Sequence, residues 1–106
     1  MAEKVGIIGW GSYIPKNRLS LFELAAYHEK NFSDLEKLEK GLMVEERAIP
    51  EPYEDTVTMM IEASCNALQR AGIGPEKLGA VYVGTETGED EVKPTAIQVA
   101  DFIGVR

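Results

Sequence analysis

Apolar and small residues follow one another without regular polar spacing in residues 5–14. Such a run predicts a strand buried on both faces, because a strand with one solvated face carries polar residues at every second position. Its glycines, Gly6, Gly9 and Gly11, indicate close approach by another element. Residues 80–85 are rich in β-forming side chains and predict a second strand.

Helical spacing of apolar residues predicts the elements between these runs. Ser20 and Glu23 stand three residues apart, which is the spacing of a capping box at the start of a helix. The apolar stripe of this first helix consists of Leu21, Leu24, Ala25 and His28. A short charged helix is expected over residues 33–40 with Gly41 as its end, and an extended segment over residues 42–49.

The longest predicted helix covers residues 56–71, with Asp55 as its cap and Gly72 as its stop. Its apolar residues spread over more than one side, which is typical of a helix buried inside a layered protein. Pro94 is expected to open a last helix that ends near Ile103, with Gly104 after it. Strands alternating with helices predict an α/β fold.

Composition narrows the possible functions. The 106 residues form one modest domain at most, and the formal net charge of −7 argues against binding to nucleic acid or to an anionic membrane surface. No apolar run is long enough to cross a membrane, and the N-terminus does not resemble a signal peptide. We therefore expect a cytoplasmic protein without nucleic-acid or membrane partners.

Several candidate sites favour structural interpretations. The glycines of residues 5–14 do not follow the dinucleotide-binding spacing, and Pro15 stands where a helix would have to open. His28 is the only histidine and is expected to pack on the apolar face of its helix, without a metal. Cys65 lies mid-helix, has no basic neighbour before Arg70, and is interpreted as a buried structural cysteine.

The acidic loop that follows residues 80–85 is the strongest candidate for chemistry. Residues 86–91 contain four acids, but their spacing does not match the twelve-residue calcium loop. Glu86 would stand at the carboxyl end of a strand, where α/β proteins bind ligands. Neighbouring carboxylates and partial burial would raise its pKa, as a general acid/base requires. A solvated acidic loop is the alternative that the spacing leaves open.

Five segments together resemble the condensing enzymes of the thiolase superfamily, in the same order along the chain: residues 5–15, 41–47, 54–56, 71–76 and 79–84. The two tripeptides Thr85-Glu86-Thr87 and Lys93-Pro94-Thr95 narrow the match to the 3-hydroxy-3-methylglutaryl-CoA synthase family, especially its archaeal type. The resemblance runs over nearly the whole chain. It implies a thiolase-like layered α/β/α/β/α fold, of which residues 1–106 would be the N-terminal portion of one domain and an incomplete half.

The resemblance also implies an acyltransferase. In that family acetyl-CoA acylates a cysteine, the acetyl group loses a methyl proton and attacks the ketone of acetoacetyl-CoA, and hydrolysis releases the product for the mevalonate route to isoprenoids. The family's glutamate acid/base matches Glu86. The substrates would be the two CoA thioesters, with no further cofactor and no metal, and the enzymes usually pair as homodimers. Family residues near Lys30 and Asn31 contact the CoA-linked substrate, so these two are carried over as substrate-binding candidates.

The chain departs from the family at several points. The family's cysteine nucleophile follows the last helix, beyond Arg106, and neither Cys65 nor His28 matches a family catalytic position. We therefore expect the chain to be inactive alone and to associate with the remainder of the enzyme. Two alternatives stay open: an initiating 3-oxoacyl-acyl-carrier-protein synthase, and a non-catalytic interaction module whose interface would be Ile97, Ala100 and Ile103.

Overall fold

The structure is a computed structural model that describes residues 3–29 and 32–105. Contacts divide the chain into two compact units, which we call the hairpin unit (residues 14–53) and the helix unit (residues up to 13 and from 54 onwards). The hairpin unit contains β1 (Asn17–Ser20), α1 (Leu21–Tyr27), α2 (Phe32–Glu36), a π-helix (Lys37–Gly41) and β2 (Glu46–Ile49). The helix unit contains α3 (Thr56–Ala71), a 3-10 helix (Pro75–Lys77) and α4 (Thr95–Ile103).

Two short antiparallel strands close the hairpin unit. β1 pairs with β2 over four residue pairs, from Asn17 opposite Ile49 to Ser20 opposite Glu46. The expected capping box follows directly: the Glu23 N–H donates to Ser20 Oγ at 3.2 Å, and the Ser20 N–H donates to Glu23 Oε2 at 3.1 Å. The extended segment predicted over residues 42–49 is confirmed in its second half, because residues 46–49 form β2. The strand β1 was not predicted.

The long helix α3 has the bounds and both ends that the sequence predicts. The Thr58 N–H donates to Asp55 Oδ1 at 2.7 Å, and Gly72 ends the helix in the left-handed conformation at φ 67°. The helix packs against α4, and one side chain from each is buried, Val57 and Val99. Burial is less complete than expected, because the other apolar positions of α3, among them Met60, are only half-buried among the described residues.

The N-terminal segment of the helix unit lies directly on α3. A Cβ atom added at Gly11 would stand 2.3 Å from the Ala63 carbonyl oxygen, so a side chain has no room there. The predicted close approach of another element is therefore confirmed at Gly11, and at Gly9 as well. On the same stretch, the Arg70 guanidinium lies 3.7 Å from the centre of the Trp10 ring and donates to the Trp10 carbonyl oxygen at 3.3 Å.

The two predicted buried strands do not form a sheet within the described part of the chain. Residues 5–14 and 80–85 carry no strand assignment, and Val5 and Tyr82 are 97% and 93% exposed. The predictions of a strand buried on both faces over residues 5–14 and of a second strand over residues 80–85 are therefore wrong for the described part of the chain. The reason is physical: an extended segment becomes a buried strand only when neighbouring strands accept its backbone hydrogen bonds and cover its side chains.

Candidate functional site

Glu86 stands in a bend immediately after the extended residues 80–85. It lines an open cleft of about 420 Å³ together with Lys93 and Thr95, which lead into and begin α4. The partial burial expected of Glu86 is absent, because the loop around it is exposed along its whole length. The Glu86 carboxylate and the Lys93 side chain thus line the same open cleft.

Three threonines hold the bend around Glu86; we call them the threonine clamp (Thr56, Thr85 and Thr87). Thr56, the first residue of α3, donates from Oγ1 to the Thr87 carbonyl oxygen at 2.8 Å, and its Oγ1 lies 3.0 Å from Thr87 Oγ1. The Thr87 N–H donates to Thr85 Oγ1 at 3.1 Å, and the two hydroxyl oxygens of that pair are 3.3 Å apart. Sequence reasoning did not identify Thr56 because 31 residues separate it from Thr87.

Asp90 fixes the far side of the same loop. Its Oδ1 accepts the backbone N–H groups of Val92 at 2.9 Å and Lys93 at 3.0 Å. These two hydrogen bonds, led by that from Lys93, hold the pKa of the Asp90 carboxyl group below its ordinary value. One of the four acids in the loop is therefore a local turn former rather than a free charge.

Two other candidates are placed differently from expectation. His28 was predicted to pack on an apolar helix face, but α1 ends at Tyr27 and the exposed His28 ring lies edge-on to the Tyr27 ring, at 5.1 Å between centroids. Cys65 was predicted to be buried and is exposed, because it lies on a side of α3 that the described residues leave uncovered. Lys30 and Asn31 lie outside the described residues.

A groove lies between α3 and α4 in the helix unit. It has a volume of about 520 Å³, and Ile61, Ile97 and Phe102 form its apolar part. Ile97 is exposed as the interaction-module alternative requires, whereas Ala100 and Ile103 are half-buried. The apolar surface of α4 is therefore centred on Ile97 and Phe102.

Within residues 3–29 and 32–105, no three His, Cys, Asp or Glu side chains come together as a metal site. No described helix combines the length and the apolar character needed to cross a membrane.

Sequence comparison finds relatives that match nearly all of this chain. The hydroxymethylglutaryl-CoA synthase of Methanocaldococcus jannaschii is 50% identical over 98 residues, which are 92% of this chain and 28% of that protein. The hydroxymethylglutaryl-CoA synthase of Methanopyrus kandleri is 44% identical over 103 residues, 97% of this chain and 29% of that protein. The chain thus spans less than a third of the length of these curated relatives. No protein-family model matches the chain.

Structural comparison finds one fold shared by several condensing enzymes. MvaS in complex with 3-hydroxy-3-methylglutaryl coenzyme A matches with a TM-score of 0.78 and 29% identity, over 100% of this chain and 25% of that one. The 3-oxoacyl-[acyl-carrier-protein] synthase III of Aquifex aeolicus matches with a TM-score of 0.76 and 30% identity, over 93% of this chain and 32% of that one.

These neighbours have the thiolase fold, so the predicted α/β fold class is confirmed. The alignments reach the whole candidate site, because they cover more than nine-tenths of the chain. The resemblance inferred from the motifs is therefore confirmed: over 92–97% of its length, this chain is similar to part of the archaeal hydroxymethylglutaryl-CoA synthases.

Proposed function

We propose that this chain is the N-terminal portion of an acyltransferase of the hydroxymethylglutaryl-CoA synthase type, acting as part of a longer protein. That protein would condense acetyl-CoA with acetoacetyl-CoA through an acetyl-cysteine whose cysteine lies outside this chain. The observation that carries the proposal is the 44–50% identity to hydroxymethylglutaryl-CoA synthases over almost the whole chain. The proposal includes a cytoplasmic homodimer that uses CoA thioesters as substrates and needs no further cofactor.

Glu86 would be the general acid/base of this reaction. The methyl group of a thioester is weakly acidic, so its deprotonation requires a positioned base within hydrogen-bond reach. The carboxylate would take that proton as the new carbon–carbon bond forms, and a proton must then reach the alkoxide left on the former ketone. The exposed carboxylate beside the cleft of Lys93 and Thr95 is accessible to a substrate, which supports this role.

The uncovered apolar segments support the second part of the proposal, that the chain works within a larger protein. Val5, Ile7 and Tyr82 are all more than 90% exposed, although their residue types are usually covered. They lie in the two extended segments that lack strand partners among the described residues. Additional strands beside residues 5–14 and 80–85 would satisfy their backbone groups and cover these side chains together.

A chimaeric enzyme tests the proposal directly. The 98 aligned residues of the Methanocaldococcus jannaschii relative would be replaced by the matching residues of this chain, so that the relative supplies the rest of the protein. We expect the chimaera to become acetylated by acetyl-CoA and to condense the acetyl group with acetoacetyl-CoA. Glu86→Gln should leave acetylation intact and lower the condensation rate by about 100- to 10,000-fold, the usual contribution of a general acid/base.

Glu89→Gln is the matched control, because it removes one negative charge from the same loop at a residue that does not line the Glu86 cleft. We expect it to condense at the rate of the unmodified chimaera. A folded chimaera that is acetylated but does not condense would contradict the proposal. Equal turnover of the Glu86→Gln variant and the unmodified chimaera would remove Glu86 from the mechanism.

A second candidate function is that of an initiating 3-oxoacyl-acyl-carrier-protein synthase. The structural similarity favours it as much as the first, since the Aquifex aeolicus synthase and MvaS have nearly equal TM-scores and identities to this chain. The same chimaera distinguishes the two, because each would use a different acceptor. Condensation with an acceptor carried by acyl carrier protein, unaffected by Glu86→Gln, would favour this second function.

A further inference from the structure

The hydroxyl groups of the threonine clamp form a chain of hydrogen bonds with a defined direction. Each hydroxyl has a single proton to donate. Thr56 gives its proton to the Thr87 carbonyl oxygen, so the contact between the Thr56 and Thr87 hydroxyls requires Thr87 to donate. Thr85 then donates to Thr87 Oγ1 while it accepts the Thr87 N–H. The backbone on both sides of Glu86 is thus tied to a single hydroxyl at the start of α3.

The helix α3, to which the loop is bonded, is itself well anchored. The first turn of α3 is fixed by the reciprocal capping of Asp55 and Thr58, and Val57 beside Thr56 is one of the buried side chains of the helix unit. The loop itself is exposed throughout, so little besides the clamp and the Asp90 turn restricts its backbone. The start of α3 therefore fixes where the backbone of the loop lies.

We propose that Thr56 is a positioning residue that fixes the backbone of residues 85–87 and thereby the place of the Glu86 carboxyl group. This inference rests on the proposed function, in which Glu86 moves the proton. A general base acts only within about 2.6–3.2 Å of the proton's heavy atom. A shift of about 1 Å in a reacting group can lower a rate on the order of 100-fold, so a tether to a buried helix end matters even though Thr56 touches no substrate.

Thr56→Val in the chimaeric enzyme is the decisive variant, because it keeps the shape of the side chain and removes only the hydroxyl. We expect the rate of acetylation to stay unchanged and the kcat of condensation to fall by about ten- to 100-fold, with little change in the KM for acetoacetyl-CoA. Thr56→Ser, which retains the hydroxyl, should restore most of the kcat. Unchanged kcat in Thr56→Val would overturn the inference.

Thr58→Val separates positioning from helix stability. Thr58 lies in the same turn, but among the described residues its hydroxyl is hydrogen-bonded to the backbone of Asp55, accepting from the N–H at 2.8 Å and donating to the carbonyl oxygen at 3.0 Å. We expect it to lower the melting temperature without lowering kcat. An equal loss of kcat in the Thr56 and Thr58 variants would mean that Thr56 acts only through the stability of α3, which contradicts the inference.

Two further variants keep the test decisive. If Thr56→Val does not fold, Thr56→Ala removes the same hydroxyl together with its bond to the Thr87 carbonyl oxygen, and a normal kcat in that variant overturns the inference. Glu86→Gln is measured in parallel. Loss of condensation in Glu86→Gln with normal condensation in Thr56→Val rejects the positioning role alone, whereas normal condensation in Glu86→Gln rejects the proposed function on which it rests.

Discussion

The two units of the chain treat extended backbone in opposite ways. In the hairpin unit, β1 and β2 are only four residues each and carry charged side chains, yet they pair with each other. In the helix unit, the far more apolar residues 5–13 and 80–85 form no strand pairs within the described part of the chain. Strand formation therefore follows the presence of a backbone partner more closely than it follows the apolar character of the segment.

The helix unit holds its first extended segment by side-chain contacts from α3 instead of a ladder. Besides the contact between Arg70 and Trp10, the Asn66 side-chain amide donates to the Ser12 carbonyl oxygen at 3.1 Å. Such contacts require the backbone around position 11 to lie close to α3. Glycine allows this approach, because a Cβ atom at position 11 would overlap backbone atoms of α3. A side chain at position 11 is therefore expected to separate this segment from α3.

The largest stability effect is expected for Gly11→Ala. The new Cβ would stand 2.3 Å from the Ala63 carbonyl oxygen and 2.4 Å from the Ala67 nitrogen, so the segment must move away from α3. We expect a loss of about 1–3 kcal/mol in the free energy of unfolding, measured by urea denaturation, as for other overpacked sites. Gly6→Ala is the control, because no atom lies within 4 Å of its added Cβ, and an equal loss there would refute the explanation.

The helix caps at Asp55 and Ser20 should each stabilise only the unit that contains them. Asp55→Ala and Ser20→Ala each remove a capping box, which costs about 1 kcal/mol. Hydrogen exchange followed by NMR should show faster exchange over α3 in the first variant and over α1 in the second. Faster exchange in both units from either single change would contradict the division of the chain into units that open separately.

A smaller effect is expected from the contact between Arg70 and Trp10. Arg70→Met should cost about 0.5–1 kcal/mol, the usual contribution of an exposed cation–π pair. Trp10 is the only tryptophan of the chain, so tryptophan fluorescence reports the surroundings of this one ring. Arg70→Lys keeps a cation near the ring and should change the emission less; identical emission in both variants would argue against the contact.

Acid should produce the smallest difference between the units. The Ser20 hydroxyl, with the Ser20 N–H second, holds the pKa of Glu23 below its ordinary 4.5, and backbone N–H groups hold that of Asp90 below 3.8. Both groups stabilise the fold when ionised, so their contributions are complete above those values and disappear as the pH falls through the lowered pKa. NMR titration should therefore show α1 responding to acid only below pH 4.5 and the Asp90 loop only below pH 3.8.

Glu23→Gln is the control for this titration, because it removes the ionisable group while keeping a side chain that can accept from Ser20. It should abolish the response of α1 to acid and leave that of the Asp90 loop unchanged. A Glu23 midpoint at or above 4.5 would contradict the capping contacts as the cause of the lowered pKa.

Local signals account for the parts of the fold that the sequence predicted well. The start of α1 at Ser20, both ends of α3, and the stop of α4 at Gly104 depend on side chains within a few residues of the helix end. The exposure of Cys65 was not predictable in this way. It depends on which side of α3 other elements cover, and periodicity identifies an apolar side without specifying what packs against it.

The residues of the candidate site also differ in whether nearby sequence identifies them. Glu86 was identified from its place after a β-forming run and from the resemblance of its tripeptide, both of which are local features. Thr56 was not identified, because its partner in the loop is 31 residues away and threonine at a helix start is common for other reasons. Its importance becomes visible only when the loop and the helix are placed side by side.

The pairing of β1 with β2 has a consequence for how the chain tolerates change in length. The strands close the ends of the intervening residues 21–45, and the Leu21 N–H adds a bond to the Glu45 carbonyl oxygen at 3.0 Å. Once those ends are fixed, each doubling of the enclosed length costs only about 0.6 kcal/mol in closure entropy. Residues added within this enclosed length are therefore expected to cost the hairpin unit little stability.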